Sequence, residues 1–169
     1  MSPIVVLVGP PGSGKTSVGG ALAKLTGRDL RDTDADIERS AGRPIPDIFI
    51  TDGEPVFRAM ERAAVATALA EHDGVLALGG GSVLAEETRA ALVGHSVVFL
   101  SLTMPTGVKR TGLASNRPLL AGVNPRATYK AMLAARLPIY HEVATIVVQT
   151  DDLSVDEVAG VIAEKLGLS

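Results

Sequence analysis

The chain has no cysteine and no tryptophan, few aromatics, no excess of positive charge and no apolar run long enough to cross a bilayer. Each absence removes a class of function. Without cysteine there is no disulfide, no thiolate metal site and no thiol nucleophile, which fits a reducing compartment. Aromatics at 3% leave few platforms on which single-stranded nucleic acid stacks. A net charge of −3 supplies no electrostatic footprint for a phosphate backbone. Neither nucleic acid nor membrane is expected as a partner. The first apolar residues follow no cationic stretch and are too few for a signal peptide or a span, so a cytoplasmic location is expected. His72, His95 and His141 lack metal-ligand spacing and read as surface residues. No internal repeat or low-complexity segment divides the chain, and 169 residues suffice for one domain with a sheet covered on both faces.

What is present begins at the N-terminus. Ile4-Val5-Val6-Leu7-Val8 reads as a strand, and Gly9-Pro10-Pro11-Gly12-Ser13-Gly14-Lys15-Thr16 follows it before a helical stretch. That is the G-x-x-x-x-G-K-[ST] pattern in the strand–loop–helix setting that gives it meaning. Small residues let successive N–H groups curl into an anion-binding nest, and the next helix adds the positive end of its dipole. Gly12, Ser13, Gly14 and Ser17 then belong to a nucleotide cradle. Lys15 reaches the β- and γ-phosphates, and the Thr16 hydroxyl ligates Mg²⁺. ATP and Mg²⁺ are the expected cofactors.

Short β-branched runs alternate with helical patterns further on, which predicts an α/β domain built on a parallel sheet. Strands are expected at 4–8, 29–33, 75–78, 97–102 and 144–149. Helices are expected at 15–25, 35–41, 54–71, 86–92, 105–110, 125–141 and 154–166. Ser154 and Glu157 have the spacing of a capping box, and Asn124-Pro125 reads as N-cap and first turn. Some forty residues separate the second and third strands, enough to build an insertion over the sheet where ligands bind.

A P-loop protein needs a carboxylate near Mg²⁺, and the third strand supplies none. Asp32 and Asp34 end the second strand. In extended backbone their spacing puts both on one side, one serving metal and one a substrate hydroxyl; the alternative is an Asx turn capping the helix from Ala35. Gly79-Gly80-Gly81 closes a buried strand at the ligand-binding edge, either for close approach of a small molecule or as a flexible turn. Arg58 and Glu61, three apart on a helix, form either a surface ion pair or a carboxylate-oriented anion receptor. Residues 111–124 read as a lid hinged at Gly112 and Gly122, with Arg117 either an arginine finger in cis or a solvated loop residue. Arg136 precedes Pro138, which should end or kink its helix, and it is either a second anion ligand or a surface arginine.

In order, these motifs resemble shikimate kinase, a small branch of the nucleoside-monophosphate-kinase-like P-loop family. The likeness rests on the P-loop at 9–16, Asp-Thr-Asp at 32–34, Phe-Arg-x-x-Glu at 57–61, Gly-Gly-Gly at 79–81, Arg-Pro-Leu-Leu at 117–120 and Arg-x-Pro-x-Tyr at 136–140. It implies a three-layer P-loop kinase whose five parallel strands run in the order 2-3-1-4-5, with a substrate-binding insertion at about 34–61 and a lid at about 112–124. It also implies ATP-dependent phosphorylation of the shikimate 3-hydroxyl on the way to chorismate and the aromatic amino acids, by a monomer. Carried to matching positions, Asp34 would bind the reacting hydroxyl. Arg58, oriented by Glu61, would bind the shikimate carboxylate and ring together with Arg136 and Gly79–Gly81, and Phe49 and Phe57 would line the pocket. Asp32 would hold Mg²⁺ through water, Lys15 and Arg117 would stabilise the phosphoryl group, and Arg110 would stack on adenine. Relatives often carry a basic residue or proline after the last strand, where this chain offers the apolar Leu153. A gluconate-kinase-like enzyme and a non-catalytic nucleotide-binding module are the rival readings.

Overall fold

The computed structural model describes residues 2–102 and 125–168. A five-stranded, all-parallel sheet in the order β2-β3-β1-β4-β5 forms its middle layer. The strands are β1 (Val5–Val8), β2 (Leu30–Asp32), β3 (Val75–Ala77), β4 (Val97–Ser101) and β5 (Ile146–Gln149). Helices among the described residues are α1 (Lys15–Thr26), α2 (Thr33–Ala41), α3 (Ile45–Asp52), α4 (Glu54–Glu71), α5 (Glu86–Leu92), α6 (Pro125–Val143) and α7 (Val155–Leu166).

Burial on both faces explains why the central strands are apolar throughout. Successive side chains of β1 leave opposite faces: Val5 and Leu7 pack with Val18 and Leu22 of α1 and Ile162 of α7, while Val6 and Val8 meet Val65 of α4 and Tyr140 of α6. Those two apolar layers hold β1 at the sheet centre, so the loop leaving it is carried on the most buried strand.

The long insertion folds as α2, α3 and the start of α4 around a small core of Ile37, Ile48 and Phe57. No element was expected at α3, whose Ile-Pro-Asp-Ile-Phe-Ile sequence is rich in β-branched residues. Tertiary contacts override that propensity. Pro46 sits in the first turn, where a missing N–H costs nothing, the Glu38 carboxylate accepts the Ile45 N–H at 2.9 Å, and Ile48 is fully buried.

Three further departures have local causes. α2 starts at Thr33 rather than Ala35, because Asp32 caps it. Pro138 does not end α6, which continues to Val143. An internal proline costs a helix about 3 kcal/mol, and burial of Tyr140, with Ile139 packed on the same layer, offsets it. His72 is not a surface side chain: it is half-buried, with Nε2 3.1 Å from the Asp29 carbonyl and 3.0 Å from that of Val75. The helix expected at 105–110 and the N-cap expected at Asn124 lie outside the described residues.

The capping box forms as expected, Ser154 accepting from the Glu157 N–H at 3.1 Å and Glu157 from the Ser154 N–H at 3.0 Å. Donation from the Ser154 backbone N–H, with a smaller share from its hydroxyl, holds the Glu157 carboxyl below its ordinary pKa. Ser154→Ala is expected to destabilise the protein by about 1 kcal/mol, read as a melting temperature lower by about 2–4 °C in a thermal scan.

Candidate functional site

The P-loop joins β1 to α1, and its backbone is set by two left-handed residues, Gly12 (φ 85°) and Gly14 (φ 88°). A side chain at either would be strained, so glycine is what lets the loop wrap its amides inward. Gly12, Ser13, Gly14, Lys15, Thr16 and Ser17 all line one cavity of ≈ 540 Å³. The Lys15 ammonium donates to the carbonyls of Gly9 at 2.7 Å and Pro10 at 3.1 Å, held across the loop it belongs to.

Asp32 and Asp34 line the same cavity, but not as a pair on extended backbone. Asp32 is the N-cap of α2 and Asp34 stands in its first turn. One oxygen of Asp32 accepts the Asp34 N–H at 2.9 Å, and the other accepts the Thr16 hydroxyl at 2.9 Å. The cap and the position beside the P-loop are therefore one arrangement: capping aims the second oxygen of Asp32 at Thr16.

β3 delivers Gly79-Gly80-Gly81 beside Asp34. A Cβ added at Gly79 would sit 2.5 Å from Asp34 Oδ1 and 3.1 Å from Glu61 Oε2, and one at Gly81 would strike the Arg58 guanidinium, 2.7 Å from Nη2. A side chain at either position would have to displace those groups, so glycine here lets Asp34, Glu61 and Arg58 approach the loop closely. Arg58 and Glu61 are not a surface pair either. Glu61 is 4% exposed, its carboxylate 2.8 Å from Arg58 Nη1, and the same guanidinium bonds Glu54 at 3.2 Å and lies 5.3 Å from the Phe57 ring centroid. Phe57 is buried, and half-buried Phe49 packs on it with ring centroids 4.9 Å apart.

Arg136 is 5% exposed despite its charge, and its positive charge acts on the Tyr140 phenol one helical turn on. Burial pushes the Tyr140 pKa up, an effect that the charges of Arg136 and Arg58 only partly offset. Tyr140 donates to the Gly80 carbonyl at 2.5 Å. α4, α6 and the triple glycine thus bring two arginines, a carboxylate and a phenol together next to Asp34. The sequence reading gave Tyr140 no role, although its place four residues after Arg136 on a helix was a usable signal.

Thr150, Leu153, Ser154 and Val155 also line this cavity. Among the described residues no cluster of three or more histidine, cysteine, aspartate or glutamate side chains is arranged to hold a metal, and no helix is long and apolar enough to cross a membrane. Arg110, Arg117 and the lid expected at 112–124 lie outside the described residues.

A family model described as "Shikimate kinase" matches residues 11–167. A shikimate kinase of Saccharopolyspora erythraea is 61% identical over 98% of this chain and 95% of its own length. One of Salinispora arenicola is 60% identical over 98% of this chain and 99% of its own. Among solved structures, a shikimate kinase from Acinetobacter baumannii in complex with shikimate superposes with a TM-score of 0.93 at 36% identity, over 99% of this chain and 94% of that one.

Proposed function

The chain belongs to the shikimate kinase family, and we propose that its cavity transfers the γ-phosphoryl group of ATP to the 3-hydroxyl of shikimate. The observation that carries this reading is that one cavity is lined both by the glycine-rich P-loop and by Asp34 and Gly80. Polyphosphate suits the first. Behind the second stand Arg58 and Arg136, two guanidiniums suited to a carboxylate on a small polar ring. Gluconate carries a carboxylate too, but its flexible chain gains less from a rigid, buried receptor.

The shikimate carboxylate is proposed to lie between Arg58 and Arg136, with Glu61 fixing Arg58, Gly79–Gly81 admitting the ring, and Phe49 and Phe57 walling the insertion side. Asp34 orients the reacting hydroxyl. A bond forms from that oxygen to the γ-phosphorus while the bond from phosphorus to the β–γ bridging oxygen breaks. The hydroxyl proton passes to Asp34. Because the transition state is loose, proton transfer comes late, and positioning and charge stabilisation supply most of the rate. Lys15 leaves its loop carbonyls for the transferring oxygens. Arg117 is proposed to join it from the lid, and Arg110 to stack on adenine opposite Leu153.

The Thr16 hydroxyl and Asp32 carboxylate, 2.9 Å apart on the cavity wall, are hard oxygen donors of the kind that suits Mg²⁺. These two residues would hold Mg²⁺, Thr16 directly and Asp32 through water, and the ion would supply neutralisation of phosphate charge. A cytoplasmic monomer completes the proposal.

ADP release measured with shikimate and with gluconate as sole acceptor tests the substrate assignment. Turnover with shikimate alone is expected, and turnover with gluconate alone would overturn it. On the acceptor side, Gly81→Ala pushes a methyl group into Arg58, which Glu61 and Glu54 prevent from simply swinging away. An increase of about tenfold in KM for shikimate, equal to a lost interaction of about 1.4 kcal/mol, is expected in steady-state kinetics with KM for ATP unchanged.

A further inference from the structure

Only two tyrosines occur in the chain, Tyr129 and Tyr140, and both belong to α6. Eleven residues make about three helical turns, so the two phenols leave the same face. Both are fully buried. Each donates to a backbone carbonyl of a different site loop: Tyr129 to Pro11 at 2.8 Å, Tyr140 to Gly80 at 2.5 Å. The two loops touch, since a Cβ at Gly80 would sit 3.1 Å from Pro11 Cδ.

Holding a carbonyl holds the whole peptide plane. No peptide bond here is cis, so the N–H of the following residue points opposite to the fixed C=O. Tyr129 thereby turns the Gly12 N–H away from itself, and Gly12 lines the cavity. Tyr140 does the same for the Gly81 N–H, at the residue packed against Arg58. Both rings are anchored: Tyr140 stacks on Phe99 of β4 with centroids 5.0 Å apart, and Tyr129 packs with Leu102 and Leu133. The raised pKa of Tyr140 keeps its phenol a donor through the neutral range.

We propose that Tyr129 and Tyr140 are positioning residues that clamp the phosphoryl-donor loop and the acceptor loop onto one rigid helix, fixing the alignment of the two substrates. α6 acts as a strut whose two bolts are phenol-to-carbonyl hydrogen bonds, one for each half of the reaction. A lost bolt lets one peptide plane rotate and misaligns one substrate against the other, and small misplacements are costly in a transfer that depends on alignment. The proposal rests on the assignment of ATP and shikimate made above.

Tyr129→Phe and Tyr140→Phe keep ring and packing and remove only the hydroxyl. Steady-state kinetics is expected to split them. Tyr129→Phe raises KM for ATP about tenfold and leaves KM for shikimate alone, Tyr140→Phe does the reverse, and each lowers kcat about tenfold. A role limited to packing predicts a lower melting temperature with kcat and both KM values unchanged, and that result overturns the proposal. A wild-type measurement covers the case of a variant that does not fold. With tyrosine labelled at the ring carbon bearing the hydroxyl, exchange of the Tyr129 hydroxyl proton is expected to slow on adding MgADP and that of Tyr140 on adding shikimate. Exchange insensitive to both ligands contradicts the clamp. A wild-type enzyme inactive with shikimate would instead sink the substrate assignment.

Discussion

Lys15→Met is expected to lower kcat by about 10³-fold, the scale of losing a preorganised charge donor at a transferring group. Methionine keeps the length and apolar stem of lysine but carries no charge. In a partly enclosed cavity a unit charge about 4 Å from another is worth about 4 kcal/mol, so the ammonium is worth more than any one neutral hydrogen bond from the loop to the phosphates proposed there. The same substitution removes the bonds from Nζ to the Gly9 and Pro10 carbonyls, which hold the loop in the absence of nucleotide. A melting scan without nucleotide separates the two effects: a modest drop accompanies the large kinetic loss. A kcat within a few-fold of wild type would show that the amide nest alone carries the phosphate chemistry.

Asp34→Asn is expected to lower kcat by about 10²-fold with little change in stability. Asparagine is the same size, and the N-cap of α2 belongs to Asp32, whose acceptance of the residue-34 backbone N–H is untouched. What changes is the group proposed to face the reacting hydroxyl. A carboxylate orients the O–H as an acceptor and takes up its proton, whereas an amide does the first poorly and the second not at all. Steady-state kinetics with both substrates varied reads the result. Near-normal turnover with unchanged KM for shikimate would remove Asp34 from the reaction.

Much of this arrangement was legible in the residues. The P-loop announces itself because a nest needs small residues at fixed spacing, and the structure sets Gly12 and Gly14 at positive φ, as such a loop requires. The Ser154–Glu157 box is likewise a local rule obeyed locally. The strand order came from the family resemblance rather than from periodicity, and the sheet has it. What the sequence concealed depends on contacts between distant segments. α3 is helical because Ile48 fits against Ile37 and Phe57, which no window of its own residues reveals. Asp32 and Asp34 looked like neighbours on a strand, yet capping by Asp32 bends the chain between them into a helix. Pro138 is a breaker by itself and is carried through by the burial of the residue two places on. The bond from Tyr140 to the Gly80 carbonyl appears only when α6 is laid beside the triple glycine.

Phosphorus-31 spectra of one mixture of the protein, MgATP and shikimate test the whole account most directly. ATP signals are expected to give way to ADP and to one equivalent of a phosphate monoester on shikimate, with no inorganic phosphate. ATP that persists, or that passes to inorganic phosphate at a rate indifferent to shikimate, would contradict the transfer proposed for this cavity.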